Sequence, residues 1–294
     1  MRITELFSRG EFVVTAEVSP PKGFELDALL GDAEKYLQGV SAINVTDCCS
    51  SKMRMGALAA CKAMIDKGFS PIFQLACRDR NRIALQSDLL GAAYFGIENL
   101  LVLTGDHTIM GDTPQAKPVF DLDSVSLLYA VGQLEHGIDI AGNKLSGNFP
   151  RFTKGAVVSP CADSIDAQLF KMERKIKAGA EYFQTQGVFE PEKFVRFMEK
   201  AKQFSVPVML GVIIPKSARM MNFLCDNIPG IGAIPEIIEE LEKDKEKTAS
   251  GVTGVEITAR IIKECREYCQ GVHIMALGWE SKIPDVLRVS GLSS

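Results

Sequence analysis

Two acids and two amides in this chain stand inside apolar runs where such side chains are costly unless they are used. Glu17 lies within residues 12–19, flanked by valine, threonine and alanine, and a carboxylate buried in such a strand asks for a purpose. The bland alternative is an ion pair with Lys22. Asp106 closes residues 99–106, in which Leu100, Leu101, Val102 and Leu103 form an unbroken apolar run, the profile of a strand buried on both sides. Gly105 permits a sharp turn there and delivers the acid to the mouth of whatever the strand runs through, unless Asp106 merely caps the turn. Gln184 and Gln186 are two apart in a strand and share a face, which points into that mouth or back toward packed helices. Lys171, Arg174, Lys175 and Lys177 gather on one amphipathic helix, either a solvated face or an anion site. Carboxylates, amides and cations suit proton transfer and charge stabilisation around a bound molecule. There is no Ser-His-Asp arrangement, no pair of histidines for a metal and no phosphate-cradling glycine loop followed by lysine. The chemistry is therefore expected to use carboxylates and a bound cofactor.

The elements that must position these groups alternate regularly. Strands are expected at residues 12–19, 42–47, 71–77, 99–106, 155–160, 182–187, 206–214 and 272–277. Between them, helices are expected at 25–38, from a Ser50 or Ser51 cap to Gly68, from an Asp79 or Asn81 cap through Tyr94, at 123–136, and from an Asp163 or Ser164 cap to Gly179. Further helices follow at 190–203, 216–225, 234–247, 252–269 and 283–289. Eight strand–helix units predict an α/β fold, a (β/α)8 TIM barrel in a single domain spanning 1–294. An open doubly wound sheet would show a glycine fingerprint after its first strand, where this chain has Pro20, Pro21, Lys22 and Gly23. In a barrel the carboxyl ends of the strands converge, so Glu17, Thr46, Asp47, Gln74, Thr104, Asp106, Ser159, Gln184, Gln186, Lys216 and Trp279 become neighbours. The irregular segment 107–121 is long enough to be functional.

Bulk composition narrows the partners. The formal net charge is −4 with 24% charged residues, so nothing points to nucleic acid and a small ligand is expected. No run approaches the roughly 18 apolar residues of a membrane span, and the first residues lack a signal-peptide core, so a cytoplasmic protein is expected. The eight cysteines show no Cys-x-x-Cys pair and read as small buried apolar residues in a reducing compartment. Cys265 and Cys269, four apart on one helix, are the best exception, but no metal site is expected. There are no coiled-coil heptads, and an oligomer is possible.

Several segments in order, namely Ala16-Glu17-Val18-Ser19-Pro20-Pro21-Lys22, Asn44-Val45-Thr46, Cys77-Arg78-Asp79-Arg80-Asn81, Leu103-Thr104-Gly105-Asp106, the run from Arg174 to Ala180, and Thr185-Gln186, resemble the methylenetetrahydrofolate reductase family over nearly the whole chain. The resemblance implies a flavin-containing (β/α)8 barrel that passes hydride from reduced flavin to 5,10-methylenetetrahydrofolate. Glu17 matches the family's general acid, a role that asks for a carboxyl kept protonated by apolar surroundings. Asp106 matches the carboxylate beside flavin and pterin that stabilises a developing cation. Gln186 matches a folate-contacting amide. The positions implied for the flavin or nicotinamide are Thr46, Asp47, Cys49, Gln74, Thr104, Gly105, Asp106, Asp121, Ser159 and Ala162, with Lys171, Arg174 and Lys175 at the phosphates of FMN or FAD.

The departures concern the electron donor. Gln74 stands where better-known NADH-using members have His, Thr104 where they have Arg, Trp279 where they have a folate-contacting Arg, and Asp47 and Cys49 replace Tyr and Ala. This pattern is similar to the short reductases of anaerobic, acetogen-type one-carbon pathways, which implies NAD(P)H or a reduced iron–sulfur partner subunit as the source of electrons. Two other functions fit the same residues: a pterin-binding methyltransferase barrel acting with a corrinoid protein, and a non-catalytic subunit that binds folate or flavin.

Overall fold

A strand joined to the next through a helix lies parallel to it, because only a crossover can return the chain to the same end of the sheet. The computed structural model describes residues 1–228, 230–232 and 234–292, and in it eight parallel strands close in sequence order into a barrel. The order is α1 (Ile3–Ser8), β1 (Val13–Val18), α2 (Asp27–Tyr36), β2 (Ala42–Val45), α3 (Ala57–Asp66), β3 (Pro71–Ala76), α4 (Arg82–Tyr94), β4 (Asn99–Leu103) and α5 (Ser124–Glu135). It continues with β5 (Thr153–Val158), α6 (Ile165–Lys177), β6 (Tyr182–Gly187), α7 (Pro191–Ala201), β7 (Val208–Ile213), α8 (Ala218–Asn227), α9 (Pro235–Lys243), α10 (Lys245–Ala249), α11 (Val252–Cys265), β8 (Gly271–Met275) and α12 (Ile283–Ser290). Of the caps expected, Asn81 starts α4 and Ser164 starts α6, and side chains of Asp123 and Ser217 satisfy free N–H groups in the same way at α5 and α8.

The barrel interior changes character along its axis. At the amino-terminal end Val13, Ala42, Ile72, Leu101, Tyr182 and Met209 form an apolar layer, and α1 closes it from below with Ile3 and Leu6. Sequence reading assigned no helix there; the spacing of Ile3, Leu6 and Phe7 is the signal that marks its buried face. Tyr182 fills the layer because β5 makes room: a Cβ on Gly155 would come within 2.3 Å of the tyrosine ring. Its hydroxyl donates to the Leu100 carbonyl at 3.1 Å. One step further up, the inward residues become polar.

Two local departures from expectation shape the mouth. No helix begins at Ser50 or Ser51: Cys49–Ser51 form a 3-10 turn, and α3 starts after Gly56. Cys48, Ser50 and Ser51 have φ of 47°, 53° and 56°, left-handed values that a right-handed helix cannot contain. What holds them is the loop after β4, since Ser51 Oγ donates to the carbonyls of Asp106 at 3.0 Å and His107 at 3.1 Å. In β6 the register against β7 slips between Gln184 and Gly187. Such a bulge re-aims a side chain at the end of a strand, here Gln186. The expected helix at 234–247 is broken at Asp244, which caps α10.

Candidate active site

Alternation along β1 turns Thr15 and Glu17 to the inside, and register places Thr15 beside His273 of β8 and Glu17 beside Asn44 of β2. The Glu17 side chain is 13% exposed. Its Oε2 accepts from Gln74 Nε2 at 3.0 Å, and His273 Nε2 stands 3.6 Å from the same oxygen. The surroundings of Glu17 are thus polar, not the apolar lining expected from its flanking residues. Flanking residues on a strand point to the helices; what a barrel side chain meets comes from other strands.

Asp106 lies beyond the end of β4, past Gly105 in the left-handed region at φ 92°, which gives the sharp turn expected there. It is exposed, and its carboxylate takes no hydrogen bond among the described residues, whereas its carbonyl accepts from Ser51. The turn-cap alternative is therefore not its role. Cys49 ties the two acids together: burial pushes its thiol pKa up, and Glu17 and then Asp106 push it further in the same direction. Both carboxylates are within electrostatic reach of one sulfur. Gln186 is half-buried and its Oε1 accepts from the Gly187 amide at 3.0 Å. On the β7–β8 side, Lys216 Nζ lies 5.3 Å from the centre of the Trp279 ring and donates to the Leu277 carbonyl at 2.5 Å. Thr104 is exposed, and its hydroxyl oxygen accepts from the Ser124 amide at 3.1 Å, anchoring the start of α5.

Other expected site residues are drawn away from the mouth. Asp47 is fully buried and bound by Arg80 through both oxygens at 2.7 and 3.0 Å, with a further bond from the Ala76 amide at 2.9 Å. Both its oxygens are thus engaged inside the protein, at a position where the resemblance implies a cofactor contact. Thr46 is 1% exposed and its hydroxyl donates to Ser19 Oγ at 3.0 Å. Asp121 is gripped by Arg82, which holds its carboxyl down at about 2. Gln184 does point inward, but it is 1% exposed and sealed below the mouth against Asn44 and Thr15. Cys269 Sγ donates to the Cys265 carbonyl at 3.6 Å, and α11 ends between the two sulfurs' residues. Among the described residues no three His, Cys, Asp or Glu side chains gather as a metal cluster, and no helix is long and apolar enough to cross a membrane.

The basic helix is α6. Lys171 and Arg174 are exposed, while Lys175 is half-buried with Nζ donating to the Val157 carbonyl at 2.6 Å. Burial, and after it the neighbouring Lys171, bring Lys175 down to about 8. Ser159 and Ala162 lie in the turn between β5 and α6, where the Ala162 amide donates to the Ser159 carbonyl at 3.3 Å. A sheltered lysine kept short of its usual basicity by another cation gains from an anion beside it. Lys175→Met should raise the melting temperature of the ligand-free protein by about 2–6 °C and weaken binding of a phosphate-bearing ligand. The sign follows from protons: below about 8 both folded and unfolded chains carry the charge and the folded state bears the full penalty. As pH rises from about 8 toward the ordinary value of 10.5 the folded lysine is neutral and the gap between wild type and variant narrows, which melts at pH 7 and pH 9.5 would show.

Sequence reading missed His273, Thr15, Asn44 and Arg80 as site or support residues. The available signal was weak: a His between Val272 and Ile274 on one strand and a Thr two before Glu17 on another. Only closure of β8 onto β1 makes them neighbours.

A closed barrel whose strand ends carry carboxylates, amides and a flanking cationic helix defines a (β/α)8 protein with its site at the carboxyl end of the strands. The family model described as methylenetetrahydrofolate reductase matches residues 2–291, and the chain belongs to that family. It is 24% identical over 242 residues to methylenetetrahydrofolate reductase 2 of Schizosaccharomyces pombe, covering 74% of this chain and 35% of that one. Over 218 residues it is 26% identical to the 5,10-methylenetetrahydrofolate reductase of Escherichia coli K12, covering 73% of this chain and 67% of that one. The chain spans between about a third and two-thirds of the length of the curated relatives it matches. An uncharacterized protein from Clostridium thermocellum that binds two copies of 5-methyl-5,6,7,8-tetrahydrofolic acid shares the fold, with a TM-score of 0.68, 13% identity and coverage of 99% of this chain and 100% of that one.

Proposed function

We propose that this barrel reduces 5,10-methylenetetrahydrofolate to 5-methyltetrahydrofolate with reduced FMN or FAD as the hydride source. The observation that carries the reading is the contrast between two carboxylates that both act on Cys49: Glu17, sheltered and hydrogen-bonded, and Asp106, exposed and without a partner among the described residues. Acids in unlike environments divide the roles of proton donor and fixed charge. Glu17 gives a proton to folate N10, the bond from N10 to the methylene carbon breaks with its electron pair left on nitrogen, and the cation formed at N5 is stabilised by Asp106. Gln186, at the end of β6, orients the pterin, and Trp279, in the turn after β8, offers it an apolar face. Lys171, Arg174 and Lys175 fit the flavin's phosphate groups, because the sheltered Lys175 asks for an anion. The bound flavin supplies the hydride that completes the methyl group.

The test is an anaerobic half-reaction. Purified protein should be yellow, and its chemically reduced flavin should be reoxidised by methylenetetrahydrofolate with this chain alone. Protein that binds flavin but never reoxidises it with folate would indicate a binding subunit, and flavin-free protein active only with a cobamide partner would indicate a methyltransferase. The electron donor is NAD(P)H or a reduced iron–sulfur partner subunit, and anaerobic bleaching by NADH, NADPH or reduced ferredoxin separates them.

A further inference from the structure

Glu17 is held through one oxygen. Gln74 Nε2 donates to Oε2, His273 Nε2 faces that same atom, and Oε1 accepts no hydrogen bond among the described residues. The state of His273 follows from a buried chain of amides. Gln184 Nε2 donates to Asn44 Oδ1 at 3.1 Å and to Thr15 Oγ1 at 3.3 Å, and Asn44 Nδ2 returns a bond to Gln184 Oε1 at 2.8 Å. Thr15 Oγ1 accepts from Gln184 and stands 3.0 Å from His273 Nδ1, so giving its own proton to that nitrogen uses both the donor and an acceptor side of the buried hydroxyl. The neutral ring then carries its proton on Nε2, the nitrogen facing Glu17.

We propose that Gln74 and His273 are positioning residues that keep Glu17 Oε2 an acceptor, so that the protonated acid bears its proton on Oε1 and releases it from that oxygen alone. With the Gln74 amide as it stands, a proton on Oε2 would confront its N–H with another donor and forfeit that hydrogen bond. On Oε1 it meets no hydrogen-bond partner among the described residues. After the proton has left, the Gln74 hydrogen bond still holds the carboxylate, with His273 Nε2 3.6 Å from the same oxygen, so the acid keeps its orientation through turnover. The identity of the proton's acceptor rests on the folate reading above; the clamp itself rests on Gln74, His273 and the amide chain behind them.

The clamp is tested in two ways. In acid-titration infrared difference spectra of the protein without substrate, the protonated-carboxyl band of Glu17 is the one lost in Glu17→Gln. A hydrogen bond to the carbonyl oxygen lowers its stretching frequency, so Gln74→Leu and His273→Phe should each move the band upward, while His273→Gln, which keeps an N–H near the same place, should bring it back. On preparations matched for bound flavin, reoxidation by methylenetetrahydrofolate should slow about 10- to 100-fold in Gln74→Leu, with the folate dissociation constant unchanged. A band that stays in place in both Gln74→Leu and His273→Phe overturns the clamp, as does a loss that falls on folate affinity instead of on the rate. Wild-type protein inert toward methylenetetrahydrofolate would count against the folate reading only, and the band positions would still decide the clamp.

Discussion

Glu17→Gln is expected to leave flavin binding and flavin reduction at wild-type levels and to slow folate-dependent reoxidation by about 10²- to 10⁴-fold, the usual reach of a general acid. The substitution preserves size and leaves an oxygen to accept from Gln74 at the position Oε2 now holds, 3.0 Å from Nε2. The amide nitrogen then falls where the acid's proton-bearing oxygen stood, and an amide N–H is no proton donor to N10. Stopped-flow reoxidation of reduced protein measures the step directly. Wild-type reoxidation in this variant would mean that the proton comes from elsewhere, and the assignment of Glu17 would be lost.

The second large effect is structural. Asp47→Ala should lower stability by about 3 kcal/mol, the low end of the cost of breaking a buried ion pair, because it leaves the Arg80 guanidinium largely buried with one of its two acids removed. Arg80 is 22% exposed and reaches Asp88 at 2.9 Å through Nε, so it keeps a partial partner. The Ala76 amide also loses its acceptor. Thermal or urea unfolding of the ligand-free protein measures the cost, and replacing Arg80 by Met in the same chain should recover part of it. An Asp47→Ala protein that melts as wild type but fails to bind flavin would instead make Asp47 a cofactor contact, as the resemblance implied.

The contrast between Asp47 and Glu17 shows what could be read along the chain. Both are acids at the end of a strand, and alternation cannot say which of them finds a cation. Arg80 is 33 residues from Asp47 and on the next strand's loop, so its claim on the carboxylate is invisible until β2 and β3 are paired. Thr46 and Gln184 differ from expectation for the same reason: their depth in the barrel depends on register, and a shift of one position exchanges a sealed side chain for one at the mouth. The side chains of Thr104 and Asp121 are taken up by the start of α5 and by Arg82, partners that lie 20 and 39 residues away in the chain.

By itself the sequence determined the eight strand–helix units, and with them the barrel and the end at which its acids gather, because apolar runs, caps and glycine stops are local signals that parallel crossovers can satisfy in few ways. It also gave the family, since ordered segments from Glu17 to Gln186 need no coordinates to be matched. Only the tertiary structure decided which acid is free and which is held. That choice is made by partners from other strands and their loops: Gln74 and His273 for Glu17, Arg80 for Asp47, and none among the described residues for the Asp106 carboxylate. A carboxylate's chemistry is set by the donors within about 3 Å of it, and in a closed barrel those donors come from strands far apart in the chain.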